Sequence, residues 1–262
     1  MYMADRTGVG IITCNRPDFL NNLLKSLEGC RYDELVVVND GDSLPDLDIP
    51  TSHTLLQNET NLGVGKSKNR AMQYLLDNDC DHLFLLEDDV FIKDKNVFKK
   101  YIDVSEAINV KHLNYCLHGQ DNKINNKPNP RIILDIKGIR VALYFNIYGA
   151  LSYYHRDVIE DVGFMDEEYY NAMEHVDHTM RCIQKGYHPP FRWFVDIENS
   201  NQLLEDQDYN HNRSKIRTGD WMKSFREGVD LFKRKFDVDV TNPYQQYSTK
   251  EDVIKYFKGI NV

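Results

Sequence analysis

Residues 82–89 read His-Leu-Phe-Leu-Leu-Glu-Asp-Asp, a short apolar run that ends in three adjacent acidic residues. Such a run is typical of a strand that is buried on both faces of a parallel sheet. Ligands of open parallel sheets bind beyond the carboxyl ends of the strands, so acids at this point favour a functional site over a solvated turn. Three neighbouring carboxylates repel one another. A hard divalent cation, Mg²⁺ or Mn²⁺, would relieve that repulsion and would suit a substrate with a diphosphate group.

Strand and helix signals alternate on the N-terminal side of this stretch. Apolar runs predict three more strands, at Gly8–Thr13, Leu35–Val38 and His53–Gln57. One helix is predicted to begin at Pro17, and another to run through Ala71 and Leu75. Strands that alternate with helices indicate right-handed βαβ units, so the expected fold class is α/β with a mostly parallel sheet.

The C-terminal side has a different pattern. Four further strands are predicted, at Leu113–Leu117, Arg131–Ile136, Arg140–Phe145 and Tyr148–Tyr154. Helices are predicted at Arg156–Val162 and Asn171–Lys185, and a capping box at Ser248–Glu251 indicates one more in the tail. The segment Gln120–Pro130, rich in Asn and Pro, is expected to be a mobile loop or a junction between two halves.

Two other predicted strand ends carry polar groups. Thr13-Cys14-Asn15-Arg16 follows the first strand, and Asn39-Asp40-Gly41-Asp42 follows the second. Because the carboxyl ends of parallel strands meet at one edge, we expect both segments to lie beside Glu87-Asp88-Asp89. Taken alone, Asp40 and Asp42 would be equally well explained as turn residues.

A glycine-containing loop, Asn61-Leu62-Gly63-Val64-Gly65, leads into a basic helix start with Lys66, Lys68 and Arg70. Exposed backbone amides at a helix start, together with cations, attract phosphate. Gly65-Lys66-Ser67 also ends like a P-loop, which would make the chain a nucleotide phosphotransferase. That motif requires glycine five residues earlier, where this chain has Thr60, so only half of the motif is present.

A third cluster, Glu174, Asp177, His178 and Arg181, shares one face of a predicted helix. The simplest interpretation of this cluster is salt bridging at the surface, between Glu174 and His178 and between Asp177 and Arg181.

Composition excludes several classes of protein. The formal net charge of −9 argues against broad electrostatic affinity for nucleic acid. The five cysteines are scattered and form no CxxC pair, which disfavours a disulfide framework or a zinc knuckle. No stretch approaches the ~20 apolar residues that cross a bilayer, and the N-terminus lacks a secretory signal pattern. The expected location is the cytoplasm.

Read in order, five segments resemble the family 2 glycosyltransferases, which are inverting enzymes of the GT-A fold that use nucleotide sugars. The segments are IITCNRPDFL (11–20), VVVNDGD (36–42), NLGVGKSKNRAM (61–72), FLLEDDV (84–90) and residues 149–187. The resemblance implies two halves of one continuous domain. Residues 1–118 would bind the nucleotide sugar, 119–219 would bind the acceptor and carry catalysis, and 220–262 would form a helical tail.

The resemblance also implies roles for individual residues. Thr13 and Asp40 would line the base pocket, and Asp40 would accept a hydrogen bond from uracil. Asp89 would bind the cation directly, with Glu87 and His211 as further ligands, and Asp88 would reach the ribose or the metal. The full set of implied donor-site residues is Thr13, Asn15, Arg16, Asp40, Gly63, Lys68, Arg70 and Asp88.

The segment Glu174-His175-Val176-Asp177 departs from the family pattern of Glu-Asp-x-Asp, in which the second residue often serves as general base. His175 stands in that place, and imidazole can deprotonate a hydroxyl near neutral pH. Glu174 or Asp177 could take the role instead, or the enzyme could be catalytically impaired.

The expected function is therefore transfer of a sugar, from a UDP-sugar in the first instance, to an acceptor hydroxyl with inversion. Lys68 or Arg70 would aid the cation, Mn²⁺ or Mg²⁺, in stabilising the departing diphosphate. The expected acceptor is a glycan or lipid-linked glycan, with a protein, a small molecule or a modified DNA base as alternatives. Two other functions stay open: a P-loop phosphotransferase, and a protein of this fold that binds a nucleotide sugar or glycan without turning it over.

Overall fold

The computed structural model of the chain describes residues 5–45, 53–207 and 219–259. In chain order its elements are β1 (Thr7–Thr13), α1 (Pro17–Ser26), β2 (Glu34–Asn39), β3 (Thr54–Gln57), α2 (Val64–Asp77), β4 (His82–Glu87), β5 (Val90–Ile92), α3 (Val97–Ile108), β6 (His112–Asn114), β7 (Lys123–Ile124), β8 (Lys127–Pro128), β9 (Ile132–Ile136), β10 (Ile139–Tyr144), β11 (Leu151–His155), α4 (Arg156–Val162), α5 (Glu174–Gln184), β12 (Phe194–Ile197), a 3-10 turn (Ser200–Gln202), β13 (Leu204–Asp206), α6 (Gly219–Phe236) and α7 (Lys250–Phe257).

A six-stranded sheet in the order β3-β2-β1-β4-β11-β6 forms the centre of the fold. β1 pairs in parallel with both β2 and β4, and β2 pairs in parallel with β3. β11 is antiparallel to β4 and to β6. The expected α/β class with a mostly parallel sheet is confirmed, and β11 carries the chain from its second half back into that sheet.

Three smaller sheets complete the fold: β12-β10-β9, β13-β5 and the hairpin β7-β8. The hairpin lies within Gln120–Pro130, where a mobile loop or a junction between halves was expected. Asn122 in that segment is buried, and its side-chain amide donates to the carbonyl oxygens of Cys116 at 2.7 Å and Asn146 at 2.9 Å. Two hydrogen bonds to separate segments hold the backbone in place.

Several boundaries differ from the sequence-based expectation. Helix α3 was not predicted, although its buried residues, among them Phe98 and Tyr101, recur at helical spacing. Helix α5 begins at Glu174 because Met173 adopts a left-handed backbone conformation with φ of 72°. The capping box is shifted by one residue, with Thr249 as the N-cap and Asp252 as its partner. None of the helices in the described ranges combines the length and apolar composition that crossing a bilayer requires.

Helix α2 packs closely on β1 because that strand carries glycine at the contact. A Cβ atom added at Gly10 would lie 2.8 Å from the Cβ of Ala71. Both residues lie in the core, where side chains interdigitate and little relaxation is available. The glycines of β1 therefore set the distance between α2 and the sheet.

We expect Gly10→Ala to lower the free energy of unfolding by about 1–3 kcal/mol, because the added methyl overpacks this contact. Urea denaturation followed by circular dichroism measures the loss. Ala71→Gly removes the opposing methyl, so combining it with Gly10→Ala should recover part of the stability that the first change costs. Strictly additive losses in the double variant would contradict the contact.

Candidate active site

The carboxyl edge of the sheet is organised around Arg16, which follows β1. Its guanidinium pairs with the Asp88 carboxylate, and its Nη1 lies 3.1 Å from Asp89 Oδ2. The Thr13 hydroxyl donates to Asp88 Oδ2 at 2.6 Å. Both aspartates are buried, with 0% and 4% of their surface exposed. The structure thus brings together the ends of β1 and β4, as the sequence indicated.

Negative charge at this edge is only partly compensated. Burial raises the pKa of Asp88 to about 7, although Arg16 opposes the shift. Burial also disfavours the charge of Arg16, but the nearby Asp88 and Asp89 outweigh it and raise the Arg16 pKa. Asp89 Oδ1 is buried and has no hydrogen-bond partner among the residues that the structure describes. A buried carboxylate oxygen in this state fits a hard cation.

Asp40, at the end of β2, holds the glycine-containing loop in place. Its carboxylate accepts from the Leu62 amide at 2.7 Å, the Gly63 amide at 2.9 Å and the Asn58 side chain at 2.6 Å. An ionised carboxylate has about four acceptor positions, so one remains for a ligand such as a base. The Val64 amide donates to the Tyr170 carbonyl oxygen at 3.1 Å.

This arrangement differs from a phosphate cradle. Three successive amides, of Leu62, Gly63 and Val64, are bonded to protein acceptors. Gly63 has φ of 89°, and a Cβ there would lie 2.2 Å from the Tyr170 carbonyl oxygen. The glycine is therefore required for close packing against residue 170, and the loop serves as a wall.

A cavity of about 500 Å³ lies against this wall. Thr13 lies at the adjoining strand end, and Asn15 fixes the neighbouring turn by accepting from the Asp42 amide at 2.7 Å. Tyr170 and Trp221 contribute two aromatic residues to the lining. The lining residues are Cys14, Asn15, Asp40, Gly41, Asp42, Glu59, Thr60, Asn61, Tyr170, Asn171 and Trp221. Tyr170 was not foreseen, because nothing in the local pattern distinguishes it from a core aromatic residue.

Lys68 is fully buried in a second cluster. Its Nζ lies 2.8 Å from Glu87 Oε1, 3.1 Å from Glu174 Oε1 and 3.2 Å from the Gly149 carbonyl oxygen. These three acceptors match the three hydrogens of an ammonium group. Lys68 therefore binds protein groups in this structure, where the sequence suggested a contact with a diphosphate. Glu87 likewise bonds to Lys68, although its charge also acts on Asp88 and Arg16.

The charges of this cluster stabilise one another. Burial alone would lower the pKa of Lys68, but the carboxylates of Glu87 and Glu174 outweigh it and raise that pKa. Burial alone would raise the pKa of Glu174, but Lys68 and His175 outweigh it and lower that pKa. His175 Nδ1 lies 3.1 Å from the same Glu174 oxygen. Its side chain is 19% exposed, whereas that of Glu174 is 3% exposed. The Glu87 side chain is 27% exposed, so His175 and Glu87 are the members of this cluster that a second substrate can reach.

The other expected site residues lie elsewhere. Asp177 is fully buried and pairs with Arg181 at 2.9 Å and with Lys235 of α6, so its pairing is not at the surface. The expected pair between Glu174 and His178 is absent from the described contacts, since His178 Nε2 bonds instead to the Gly163 carbonyl oxygen at 2.8 Å. Arg70 Nη1 donates to the Gln57 carbonyl oxygen at 3.2 Å. His211 lies outside the described residues.

Comparisons with known proteins bear on this architecture. No protein-family model matches the chain, and the search of curated proteins gave no match. The catalytic domain of Drosophila β1,4-galactosyltransferase 7, solved with xylobiose, superposes with a TM-score of 0.54 at 14% identity, over 94% of this chain and 87% of that one. Residues 1–349 of S. aureus TarS, solved with UDP, superpose with a TM-score of 0.53 at 14% identity, over 96% and 80% of the two chains.

The chain has the GT-A fold of glycosyltransferases. Identities this low show the fold alone, so membership of family 2 stays a prediction. A longer TarS structure matches over 67% of this chain and 33% of its own length, with a TM-score of 0.48. Within the GT-A fold, the division at residues 118 and 219 also stays a prediction; β11 and β6 lie in the same sheet from either side of the first boundary.

Replacing Lys68 with Met is expected to lower the free energy of unfolding by about 3–5 kcal/mol, because Glu87 and Glu174 then lose their counter-charge. Lys66→Met is the matched control. The Lys66 side chain is 42% exposed and its Nζ lies 3.8 Å from Glu167, and exposed pairs contribute about 0–1 kcal/mol. Chemical denaturation measures the free energy of unfolding of both variants. Equal losses of that free energy would contradict the role of Lys68.

Proposed function

We propose that this chain is a glycosyltransferase that moves a sugar from a UDP-sugar to an acceptor hydroxyl, with inversion and with a divalent cation. One observation carries the proposal: Asp88 and Asp89 follow β4 at the carboxyl edge of a GT-A sheet, and they bond to Arg16 after the neighbouring strand β1. Cys14 and Asn15, which also follow β1, line the cavity of about 500 Å³. The structure of TarS 1–349, which has the same fold, contains UDP, and this supports UDP as the nucleotide.

The cavity suits a nucleoside in size and chemistry. Its volume lies within the range of about 300–1,000 Å³ that is usual for small-molecule sites. Polar groups of Asn15, Asp40 and Asn61 offer hydrogen bonds to a base and ribose, and the rings of Tyr170 and Trp221 offer stacking surfaces. The nucleotide would therefore lie between the turn at residues 40–42 and the aromatic pair.

Asp89, with Asp88, would hold the cation. The buried Oδ1 of Asp89 is an acceptor without a partner in the described residues, and burial raises the pKa of Asp88 because Arg16 only partly offsets the cost of its charge. When bound, Mn²⁺ or Mg²⁺ supplies positive charge that stabilises the diphosphate leaving group. Arg16, with an 18% exposed side chain beside these carboxylates, is placed to contribute to the same stabilisation.

His175 is the proposed general base. Glu174 is paired with Lys68 and lies 3.1 Å from His175 Nδ1. In the tautomer that donates Nδ1–H to Glu174, the Nε2 atom of a neutral imidazole is the proton acceptor. This is the arrangement by which a buried carboxylate orients a histidine base in hydrolase triads. Asp177 is less suited, because Arg181 and Lys235 occupy its carboxylate.

The reaction is a single in-line displacement. The acceptor hydroxyl gives its proton to His175 Nε2 as its oxygen forms a bond to the anomeric carbon. The bond from that carbon to the diphosphate oxygen breaks at the same time, and UDP leaves with the electron pair. Because attack and departure take place on opposite faces of the sugar, the configuration at the anomeric carbon inverts.

Neither alternative function has comparable support. A P-loop phosphotransferase needs free loop amides, and those of Leu62, Gly63 and Val64 are bonded within the protein. A protein that binds without turnover is an outcome of the tests below. For the acceptor we propose a saccharide, since the Drosophila enzyme of this fold was solved with xylobiose; a lipid-linked glycan is one form of it.

We expect UDP with Mn²⁺ to raise the melting temperature, since a ligand present at about 100 times its Kd stabilises the native state by about 2.7 kcal/mol. In Asp89→Asn the metal-dependent part of this shift should disappear. Asp103→Asn, which removes an exposed carboxylate on α3, should keep it. A full metal-dependent shift in the Asp89 variant would contradict the metal assignment.

His175→Gln should lower kcat by about 10²–10⁴ while the UDP-induced shift is retained, because only the proton acceptor is lost. The control is His155→Asn, which keeps a side-chain acceptor at the N-cap of α4. Activity is followed by UDP release with a panel of saccharides, and NMR of the product gives the anomeric configuration. Retained configuration would rule out the single displacement, and donor binding without turnover by the unmodified chain would favour a binding protein.

A further inference from the structure

A second cavity, of about 230 Å³, lies between the sheet of β9, β10 and β12 and the segment of residues 243–248. Arg131, Phe145 and Arg192 form one side of it. It shares no lining residue with the cavity proposed for the nucleotide. Its contents are therefore a separate question from donor binding.

Two guanidinium groups are stacked on aromatic rings at this cavity. Arg131 Cζ lies 3.6 Å from the centroid of the Trp193 ring, and Arg192 Cζ lies 4.2 Å from that of Phe145. Stacking of this kind fixes the plane of a guanidinium and directs its N–H groups sideways. The two arginines are also joined, since Arg131 Nη1 donates to the Arg192 carbonyl oxygen at 2.7 Å.

These cations lack carboxylate partners. Within residues 5–45, 53–207 and 219–259, no ion pair to Asp or Glu includes Arg131 or Arg192. Asp239, whose charge acts on Arg192, accepts instead from the Thr241 hydroxyl at 2.6 Å and the Thr241 amide at 3.0 Å. Arg192 is only 8% exposed, and its Nε is buried with no hydrogen-bond partner in the described part of the chain.

Two guanidinium groups without a carboxylate partner line the same cavity, and this favours an anion as its ligand. Guanidinium groups match phosphate and carboxylate in geometry. The remaining lining adds the side-chain amides of Gln245 and Gln246 and the ring of Tyr244, which is 91% exposed. Amides and an open aromatic face suit the hydroxyls and the apolar face of a sugar ring.

We infer that the cavity of Arg131 and Arg192 binds a phosphate or carboxylate group carried on a sugar unit. The volume supports a small ligand, since it is below the range of about 300–1,000 Å³ for larger organic ligands. The inference does not depend on the proposed transfer reaction. A charged saccharide at this place would be bound by the fold whether or not the carboxyl edge of the sheet turns over a nucleotide sugar.

The test is calorimetric titration of the full chain with four probes: glucose 6-phosphate, glucuronate, inorganic phosphate and glucose. We expect one of the two charged sugars to bind at least about tenfold more tightly than glucose, as for a charge-assisted hydrogen bond. The phosphate and carboxylate sources are thereby distinguished. Binding should persist when UDP and Mn²⁺ are present, because the two cavities are separate.

Arg131→Gln should lower the affinity for the charged sugar by about tenfold or more. The matched control is Arg140→Gln on the neighbouring strand, which removes an equal charge from an arginine already paired with Glu198 at 2.6 Å; it should change the affinity less than about twofold. Tyr244 is exposed, so Tyr244→Ala should leave folding intact. This variant should lower the affinity for glucose 6-phosphate more than the affinity for inorganic phosphate.

Equal weakening by the two arginine variants would overturn the site, and so would displacement of the sugar by UDP. If glucose binds as tightly as the charged sugars, the anion requirement fails. If inorganic phosphate binds as well as glucose 6-phosphate and Tyr244→Ala affects neither, the saccharide part fails. Absence of UDP binding would count only against the proposed transferase, because the probes are also titrated without UDP.

Discussion

The ammonium group of Lys68 joins the parts of the chain from which the proposed site is built. It lies on α2 and contacts Glu87 at the end of β4, the carbonyl oxygen of Gly149 before β11, and Glu174 at the start of α5. A buried charge is costly unless it is fully paired and hydrogen-bonded, so this contact fixes all four segments relative to one another. The position of His175 follows directly, because the imidazole bonds to the same oxygen of Glu174.

A second constraint lies at the edge of the sheet, where Asp40 and Arg16 hold the loops. The Asp40 carboxylate accepts hydrogen bonds from the amides of residues 62 and 63, and Arg16 pairs with both Asp88 and Asp89. Most polar groups of these loops are thereby satisfied within the protein. The buried side-chain atoms without partners in the described residues include Asp89 Oδ1 at this edge and Arg192 Nε, which lies apart from the edge at the second cavity. The cation and anion sites are proposed at these two residues.

The sequence correctly predicted the parallel strands and the edge at which they end. The apolar runs before Thr13, Asn39 and Glu87 indicated parallel strands, and a parallel sheet brings their ends to one edge. The prediction failed where the signal was weaker or depended on other segments. Gln120–Pro130 contains a short hairpin, and the buried Asn122 bonds it to the backbone of Cys116 and Asn146, which its composition did not indicate. The left-handed conformation of Met173 places the start of α5 at Glu174, three residues later than expected.

The sequence by itself determined the α/β class, the strand ends and the residues at the edge of the sheet, because these depend on local periodicity and on the rule for parallel strands. Only the tertiary structure decided which partner each charged group takes. Lys68 and Arg70 were alike in sequence as cations near a helix start, yet one is buried between two glutamates and the other bonds the backbone of residue 57. The Lys68–Glu174 contact joins residues 106 positions apart, and the pairing of Arg131 with Arg192 spans 61. Contacts at such separations arise from packing of the whole chain, and no local spacing encodes them.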